Sequence, residues 1–391
     1  MGDGRLFSGR QWLRVVVTGG GTGGHVYPAL SITEALTEEL VAKGNGNEAR
    51  HTAVDFLYVG GRNGLEEGIV SHAGLKFKAV SSGAVRGKTP WQAIAAVWRV
   101  GQGYAQSKRI IEAYCPAVVL ATGGYVCVPV VLAARAQGVP VVVCLPDVEP
   151  GWAVWLISRL AKYIAVSTEE ARRHLPAKKV VVTGYPARSS LGKLSRSEGR
   201  RVFGLDEGSP VVLVLGGSRG ARSINDAVVG ALPSLLTQAQ VIHVCGTGEL
   251  SRVRGQIGDL PPELRARYVL RPYLEDDLDA AFTSADLCVS RAGASVLGEY
   301  PIFGLPSVLV PYPFAGAPQE RNADFMVRAG AAVKLADREL HRLAPLVEEI
   351  LRDRARLSDM ALHCKKLARP EAATSVAALL RKCAEQKGIL D

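Results

Sequence analysis

Val15-Val16-Val17-Thr18-Gly19-Gly20-Gly21-Thr22-Gly23-Gly24-His25-Val26-Tyr27-Pro28-Ala29-Leu30 joins a β-branched run to an amphipathic segment through a cluster of glycines. Val15 to Thr18 reads as a buried strand, and helical spacing follows from Tyr27 to Ala42. Glycine at such a junction permits positive φ and close backbone approach, while the helix start presents free N–H groups. The turn therefore reads as an anion site, with a tight packing turn as the plainer alternative. It also satisfies G-x-G-x-x-G, whose commonest owners bind dinucleotides. A dinucleotide fold wants an acidic residue at the end of the second strand to hold the ribose hydroxyls. Here that strand ends Val59-Gly60-Gly61-Arg62, and Glu66 and Glu67 come only inside the next helix, which disfavours a nicotinamide-dependent oxidoreductase.

Working outward, the same strand-then-helix rhythm continues: strand Val54 to Val59, helix Gly64 to Ala73, strand Phe77 to Val80, helix Trp91 to Tyr114, strand Ala117 to Ala121, helix Val128 to Ala136, strand Val139 to Cys144, helix Trp152 to Ala161, then strands near Ile164 and Val181. A βα series of this kind predicts a parallel sheet covered on both faces. Ser189 to Ser209 breaks the apolar rhythm and reads as the connection between halves. After it Gly216-Gly217-Ser218-Arg219-Gly220 repeats the strand-turn-helix device, followed by helix Ala221 to Leu236, strands Val241 to Cys245 and Tyr268 to Leu270, helix Asp276 to Ser284, strand Leu287 to Ser290, helix Ala294 to Phe303 and strand Ser307 to Val310. Leu340 to Lys387 reads as helices broken near Arg369-Pro370. The fold class expected is α/β with two Rossmann-like domains: an N-terminal one over 1–187, joined by a C-terminal helix of about 368–391, and a C-terminal one over 188–367. Two phosphate-friendly turns, one per domain, suit a ligand carrying a diphosphate held in a cleft between the two sheets.

The chain's 391 residues exceed what one hydrophobic core usually serves, and 48% hydrophobic against 21% charged residues is a folded rather than a disordered profile. The seven cysteines are widely spaced with no C-x-x-C pair, which predicts buried thiols in a reducing compartment. Neither a leader-like apolar stretch near Met1 nor a run of about 18 apolar residues occurs, so export and membrane spanning are not expected. A net charge of +10 suits nucleic acid, an anionic membrane or a phosphate-bearing ligand. Zinc-finger spacing, RNP-like aromatics and Lys/Arg blocks are missing, which argues against nucleic acid.

Several single residues stand where chemistry would need them. His25 enters the first helix at the carboxyl end of a strand, as either a general base or a merely hydrogen-bonded histidine. Glu299 interrupts a small-residue stretch; its carboxylate would accept both hydroxyls of a ribose or else face solvent. Arg188 and Ser218 are candidates for phosphate oxygens, or surface residues. Asp147 and Glu149 follow a buried strand, open to acid–base work, metal binding or helix capping. Trp91, Ile94 and Trp98 share a helical face near Arg86, Lys88, Arg99, Lys108 and Arg109, which fits either an anionic membrane surface or a core-facing helix with basic edges.

Taken in order, Gly19 to Leu30, Gly123-Gly124-Tyr125, Gly216-Gly217-Ser218-Arg219-Gly220-Ala221, Arg291-Ala292-Gly293-Ala294-Ser295 and Gln319 with Asn322-Ala323 resemble the MurG family, lipid-linked N-acetylglucosaminyltransferases of peptidoglycan synthesis with the GT-B fold. The resemblance runs along nearly the whole chain. It implies an inverting transfer of N-acetylglucosamine from UDP-N-acetylglucosamine to lipid I on the cytoplasmic face of the membrane, with no cofactor and no metal. By the same resemblance His25 is the base, Thr22, Gly23 and Gly24 face the acceptor diphosphate and donor sugar, Arg188, Ser218, Leu274, Ala294 and Ser295 lie along UDP, Glu299 takes the ribose, and Gln319 the sugar. Two departures stand out. Cys144-Leu145-Pro146-Asp147 replaces the family's usual His-Glu-Gln-Asn, so a neutral donor becomes an anion at Asp147, and Pro318 replaces the first of two glutamines. Both bear on the acceptor and sugar ends rather than on UDP. The rival readings are a related UDP-sugar transferase acting on another lipid or secondary metabolite, a UDP-N-acetylglucosamine 2-epimerase, and a catalytically silent nucleotide-sugar binder.

Overall fold

A computed structural model describes residues 12–21, 23–43, 53–62, 64, 66–83, 90–217, 220–258, 260–313 and 318–388. The chain forms two units, Met1–Ser189 with Pro370–Asp391 and Ser190–Arg369. Among the described residues the first unit carries β1 (Trp12–Thr18), β2 (Ala53–Gly61), β3 (Lys76–Val80), β4 (Val118–Ala121), β5 (Val141–Leu145), β6 (Tyr163–Val166) and β7 (Val180–Val182). They pair in parallel in the order β3-β2-β1-β4-β5-β6-β7. The helices between them are α1 (Gly23–Lys43), α2 (Glu66–His72), α3 (Pro90–Tyr114), α4 (Cys127–Ala136) and α5 (Trp152–Ser158). Because helices cover both faces, β4 and β5 are buried at every position and read as unbroken apolar runs, Val-Val-Leu-Ala and Val-Val-Val-Cys-Leu.

The second unit repeats the plan with β8 (Val211–Leu215), β9 (Gln240–Val244), β10 (Tyr268–Arg271), β11 (Leu287–Ser290), β12 (Ser307–Leu309) and β13 (Ala332–Lys334), in the order β10-β9-β8-β11-β12-β13, again parallel. Its helices are α6 (Arg196–Phe203), α7 (Arg222–Gln238), α8 (Leu250–Gln256), α9 (Pro262–Arg265), α10 (Leu278–Ser284), α11 (Glu299–Phe303), α12 (Pro318–Arg328), α13 (Leu343–Arg352) and α14 (Arg354–Lys366). After them α15 (Ala372–Glu385) returns to the first unit, where Val376, Ala377, Leu380 and Cys383 join the core of α1 and β1 with no exposed surface.

Three expected elements differ. The first helix begins at Gly23 rather than Tyr27, because apolar periodicity, the sequence signal for a helix, starts only after the glycines. The presumed connection Ser189 to Ser209 contains α6, started by a capping box between Ser195 and Glu198. Its polar composition conceals burial: Arg200 is 1% exposed and binds the Asp206 carbonyl and Asp286. The helix expected over Ala294 to Phe303 is a 3-10 turn, Ala294–Leu297, broken at Gly298 before α11. All the cysteines but Cys115 are buried, and burial pushes the Cys127, Cys144 and Cys288 thiols up to about 12, the behaviour of inert core groups. No helix of the described residues is long and apolar enough to cross a membrane.

Candidate active site

In an open parallel sheet, ligands bind beyond the carboxyl ends of the strands where the strand order reverses. In the first unit that point lies between β1 and β4. β1 runs into the turn from Gly19, β4 into Thr122-Gly123-Gly124, and the two turns meet backbone to backbone: the Gly20 N–H donates to the Gly123 carbonyl at 3.1 Å. A Cβ on Gly124 would stand 2.4 Å from the Gly20 oxygen, and one on Gly19 would stand 2.1 Å from the Thr122 hydroxyl. Close packing thus accounts for glycine at both positions. Gly21, with φ +88°, faces open space instead.

His25 is the third residue of α1, half-buried, with Nδ1 at 2.9 Å from the Gly20 carbonyl oxygen. A carbonyl only accepts, so Nδ1 carries the proton and the Nε2 lone pair is left to take another. The ring lies against Gly123, where a Cβ would be 2.9 Å from Nε2, and the Thr122 hydroxyl donates to the His25 carbonyl at 2.7 Å. Position and tautomer are therefore both set by backbone groups of the paired turns.

Sequence reasoning missed Glu66 as a member of this site. At 3% exposed it opens α2, and its carboxylate accepts from the Gly61 N–H at 2.9 Å and, in a long contact of 3.5 Å, from the Gly21 N–H. Gly20, Gly60, Gly61 and Gly64 line its seat; a Cβ on Gly20 or Gly64 would lie within 2.5 Å of it. One N–H that the first turn would offer to a phosphate is thus directed at an internal carboxylate. The signal for this was the second cluster, Gly60-Gly61 with Gly64, which periodicity does not explain.

Elsewhere in the first unit, the Arg188 guanidinium lies 4.0 Å from the centre of the Tyr27 ring, which itself packs on Gly23. Asp147 is half-buried in the loop between β5 and α5, and Glu149 pairs with His174 at 3.5 Å. Trp98 is 66% exposed, and Trp152 and Trp155 on α5 are also exposed, with the Arg159 guanidinium 3.4 Å from the Trp155 ring centre. Thr22, Ser218, Arg86 and Lys88 lie outside the described residues, as do the side chains of Trp91 and Ile94.

The second unit reverses its strand order between β8 and β11. β8 leads to Gly216 and Gly217, and β11 to Arg291-Ala292-Gly293-Ala294. A Cβ on Gly216 would stand 2.5 Å from the Ala221 nitrogen, and Gly220 combines φ +75° with a Cβ position 2.4 Å from the Cys245 oxygen. Ala294 and half-buried Ser295 form the 3-10 turn after β11, and Glu299, 5% exposed, opens α11 behind it. Leu274 is buried in the loop after β10. Gln319, in the first turn of α12, accepts from the Tyr312 N–H at 2.9 Å through its side-chain carbonyl. Pro318 takes the first helical position of α12, where a missing N–H needs no partner. These candidates all follow carboxyl ends of strands in the second sheet.

Two supports of this end were invisible in sequence because their partners are distant. Arg291 donates to Asp337 at 2.6 Å, to the Ser223 hydroxyl at 2.8 Å and to the Val310 carbonyl at 3.2 Å, anchoring the strand end from which Ala292 to Ser295 issue. Fully buried His243 bridges Tyr268 (2.7 Å) and Asn225 (3.0 Å), and Asn225 donates to the Cys245 carbonyl at 2.9 Å, behind Gly220. Burial pushes the His243 imidazole down to about 4, so the network is built on a neutral ring.

Comparison with known proteins agrees with this plan. Residues 15–166 match the model of the glycosyltransferase family 28 N-terminal domain, and residues 211–376 that of the family 28 C-terminal domain. The chain is 41% identical to the UDP-N-acetylglucosamine--N-acetylmuramyl-(pentapeptide) pyrophosphoryl-undecaprenol N-acetylglucosamine transferase of Roseiflexus sp. (strain RS-1), with 94% of each chain covered. The crystal structure of Acinetobacter baumannii MurG superposes with a TM-score of 0.72 at 26% identity, covering 95% of this chain and 99% of that one. The UDP-GlcNAc 2-epimerase of Neisseria meningitidis, solved with UDP-GlcNAc, reaches a TM-score of 0.66 at 16% identity over 95% of this chain and 100% of its own, a likeness of fold.

Proposed function

The chain belongs to glycosyltransferase family 28, and on that premise we propose that it moves N-acetylglucosamine from UDP-N-acetylglucosamine onto lipid I, forming lipid II. It is a UDP-sugar-dependent transferase, and its full-length relatives carry that activity in their names, whereas the epimerase shares only the fold. The observation that carries the catalytic reading is the Nδ1 bond of His25 to the Gly20 carbonyl, which leaves Nε2 as the proton acceptor. In the reaction, the C4 hydroxyl oxygen of the acceptor sugar forms a bond to C1 of the donor as the bond from C1 to the diphosphate breaks. His25 Nε2 takes the hydroxyl proton, and UDP departs with the electron pair. Attack opposite the leaving group inverts C1.

In this reading Gly23 and Gly24 at the start of α1, with Thr22, face the acceptor diphosphate, and Asp147 lies near it. The second unit holds UDP through Ser218, Leu274, Ala294 and Ser295, with Arg188 on a diphosphate oxygen. Glu299 accepts from the ribose hydroxyls, and Gln319 meets the sugar. Exposed Trp98, Trp152 and Trp155, with Arg159 beside the last, support a peripheral seat on an anionic membrane, since indole rings and arginines favour the headgroup region. The cytoplasmic face of the membrane belongs to the same reading. A product assay decides: UDP-N-acetylglucosamine and UDP-glucose are each offered with lipid I and with diacylglycerol. Lipid II from the first pair is the expected result. Turnover confined to diacylglycerol would give the chain to the neighbouring lipid transferases, and epimerised donor without acceptor would give it to the epimerases.

A further inference from the structure

The Gly20 carbonyl and the Gly21 N–H belong to one peptide group. His25 Nδ1 donates to its oxygen at 2.9 Å, and its N–H points at the Glu66 carboxylate at 3.5 Å. The order of atoms is carboxylate, N–H, C=O, H–Nδ1. A negative charge at the N–H end polarises the peptide and makes its oxygen a stronger acceptor. We propose that Glu66 is a positioning residue for the His25 base, acting through the Gly20–Gly21 peptide as a carboxylate bonded directly to an imidazole would. The inference rests on His25 being the base of the transfer. Glu66 strengthens the hold of the Gly20 carbonyl on the tautomer with its proton on Nδ1 and favours the imidazolium formed when Nε2 takes the acceptor's proton.

The seat is built for a carboxylate in this place. Glu66 is 3% exposed and fixed by the Gly61 N–H at 2.9 Å, and glycines at 20, 60, 61 and 64 leave the volume it fills. Among the described residues, the other side chains that hydrogen-bond around the turn are neutral. From β2 the Tyr58 hydroxyl donates to the Gly19 carbonyl at 2.9 Å, and from α4 the Cys127 thiol reaches the Gly123 carbonyl at 3.0 Å. Burial raises both above their ordinary values, so both are neutral near pH 7. Thr122 and Gly123 after β4 and Val154 on α5 bring no charge. Arg188 on the Tyr27 ring and Asp147 after β5 are charges of neighbouring elements that lie outside the peptide relay.

Two variants separate charge from packing: E66Q keeps an acceptor but removes the charge, and E66D keeps the charge but shortens the side chain. Each is checked for folding by its melting temperature with and without UDP. In E66Q, kcat is expected to fall about ten- to hundredfold with the KM for UDP-N-acetylglucosamine unchanged, as when an oriented histidine loses its outer partner. The acid limb of its kcat profile should move to lower pH by about one unit, because a cation no longer favoured by a nearby carboxylate loses its proton earlier. E66D should retain the limb of the unsubstituted enzyme. Nitrogen-15 shifts of the His25 ring give a readout independent of turnover: the Nδ1–H tautomer dominates in the unsubstituted protein and in E66D, and both tautomers are populated in E66Q. Should E66Q fail to fold, the comparison of E66D with the unsubstituted protein still decides, since a limb shifted in E66D overturns the role of charge. An unmoved limb and tautomer in folded E66Q would overturn it as well. Full activity in His25→Gln would instead remove His25 from the reaction, leaving the ring shifts to report on the relay by themselves.

Discussion

At the scale of single residues, the roles proposed for His25 and Asp147 would make opposite demands on the acceptor. His25 supplies a lone pair at Nε2 because the Gly20 carbonyl fixes the proton on Nδ1. His25→Gln keeps a polar side chain of similar reach without basicity, so kcat should fall by roughly 10²- to 10⁴-fold while UDP protection against thermal unfolding persists. Activity within a few-fold of the unsubstituted enzyme would place the base elsewhere. Asp147 puts a half-buried carboxylate in the loop after β5, where the family resemblance implies a neutral amide. If it lies near the acceptor diphosphate, like-charge repulsion of about 1 kcal/mol in a partly screened site raises the acceptor KM. Asp147→Asn should therefore lower that KM about fivefold at low salt and less at high salt, by the same estimate. A KM indifferent to both substitution and salt would move Asp147 away from the diphosphate. The sequence made His25 visible through its place after a glycine turn, but Glu66 was not visible as its partner. Its role depends on α2 folding back onto the first turn, and no local pattern encodes that contact.

Among elements, the paired glycine turns of the first unit have separable roles. Gly124→Ala would force a Cβ to 2.4 Å from the Gly20 oxygen at a φ of +89°, so backbone must shift. The loss should be roughly 2–4 kcal/mol, with activity falling because Gly20 also orients His25. Gly21→Ala meets open space at φ +88°, and should cost only about 1 kcal/mol. Equal melting temperatures for the two variants would contradict this division. In the second unit, His243 on β9 ties α7 to β10 as a neutral ring. Its folded value near 4 lies below the ordinary 6.5, so between these limits the unfolded chain binds a proton that the folded one refuses. The network is at full strength above pH 6.5 and loses on the order of 3 kcal/mol as pH falls to 4. Urea unfolding of the unsubstituted protein and of His243→Gln measures it: the pH slope should flatten in the variant, and an identical slope would rule out this residue as its source. Most strands were legible because both-face burial writes them as β-branched runs. The elements that were not, among them α6, α8, α9, α12 and β13, are short or polar, and several take their order from distant partners: Arg200 from Asp286, Gln319 from the Tyr312 backbone, and β13 from β12. The bend at Gly298 was missed for a related reason, since small residues continue a helical pattern through it.

For the molecule as a whole, the consequential fact is that the chain leaves the first unit near Ser189 and returns to it at Pro370. The helical character of the last stretch was legible from its apolar spacing, and the expectation joined its final helix, about 368–391, to the N-terminal domain; spacing alone shows that a face will be buried without showing against what. α15 places Val376, Ala377, Leu380 and Cys383, all without exposed surface, in the core that α1 and β1 share, and Arg381 binds Glu39 of α1 at 2.9 Å. Burying Val376 and Leu380 contributes about 1.5–3 kcal/mol each, and with Ala377 and Cys383 the sum is comparable to the lower end of the roughly 5–15 kcal/mol of net stability typical of a domain. Removing residues 371–391 should therefore unfold the first unit while sparing the second, whose core draws on α7, α13 and α14. The expected signature is loss of the first unit's amide protection in hydrogen exchange and loss of transfer, with protection of the second unit by UDP retained. Adding back a peptide of residues 371–391 should restore part of both. A truncated chain with undiminished activity would mean that α15 only covers the first unit, and a chain that loses UDP protection as well would show the second unit to depend on the same helix.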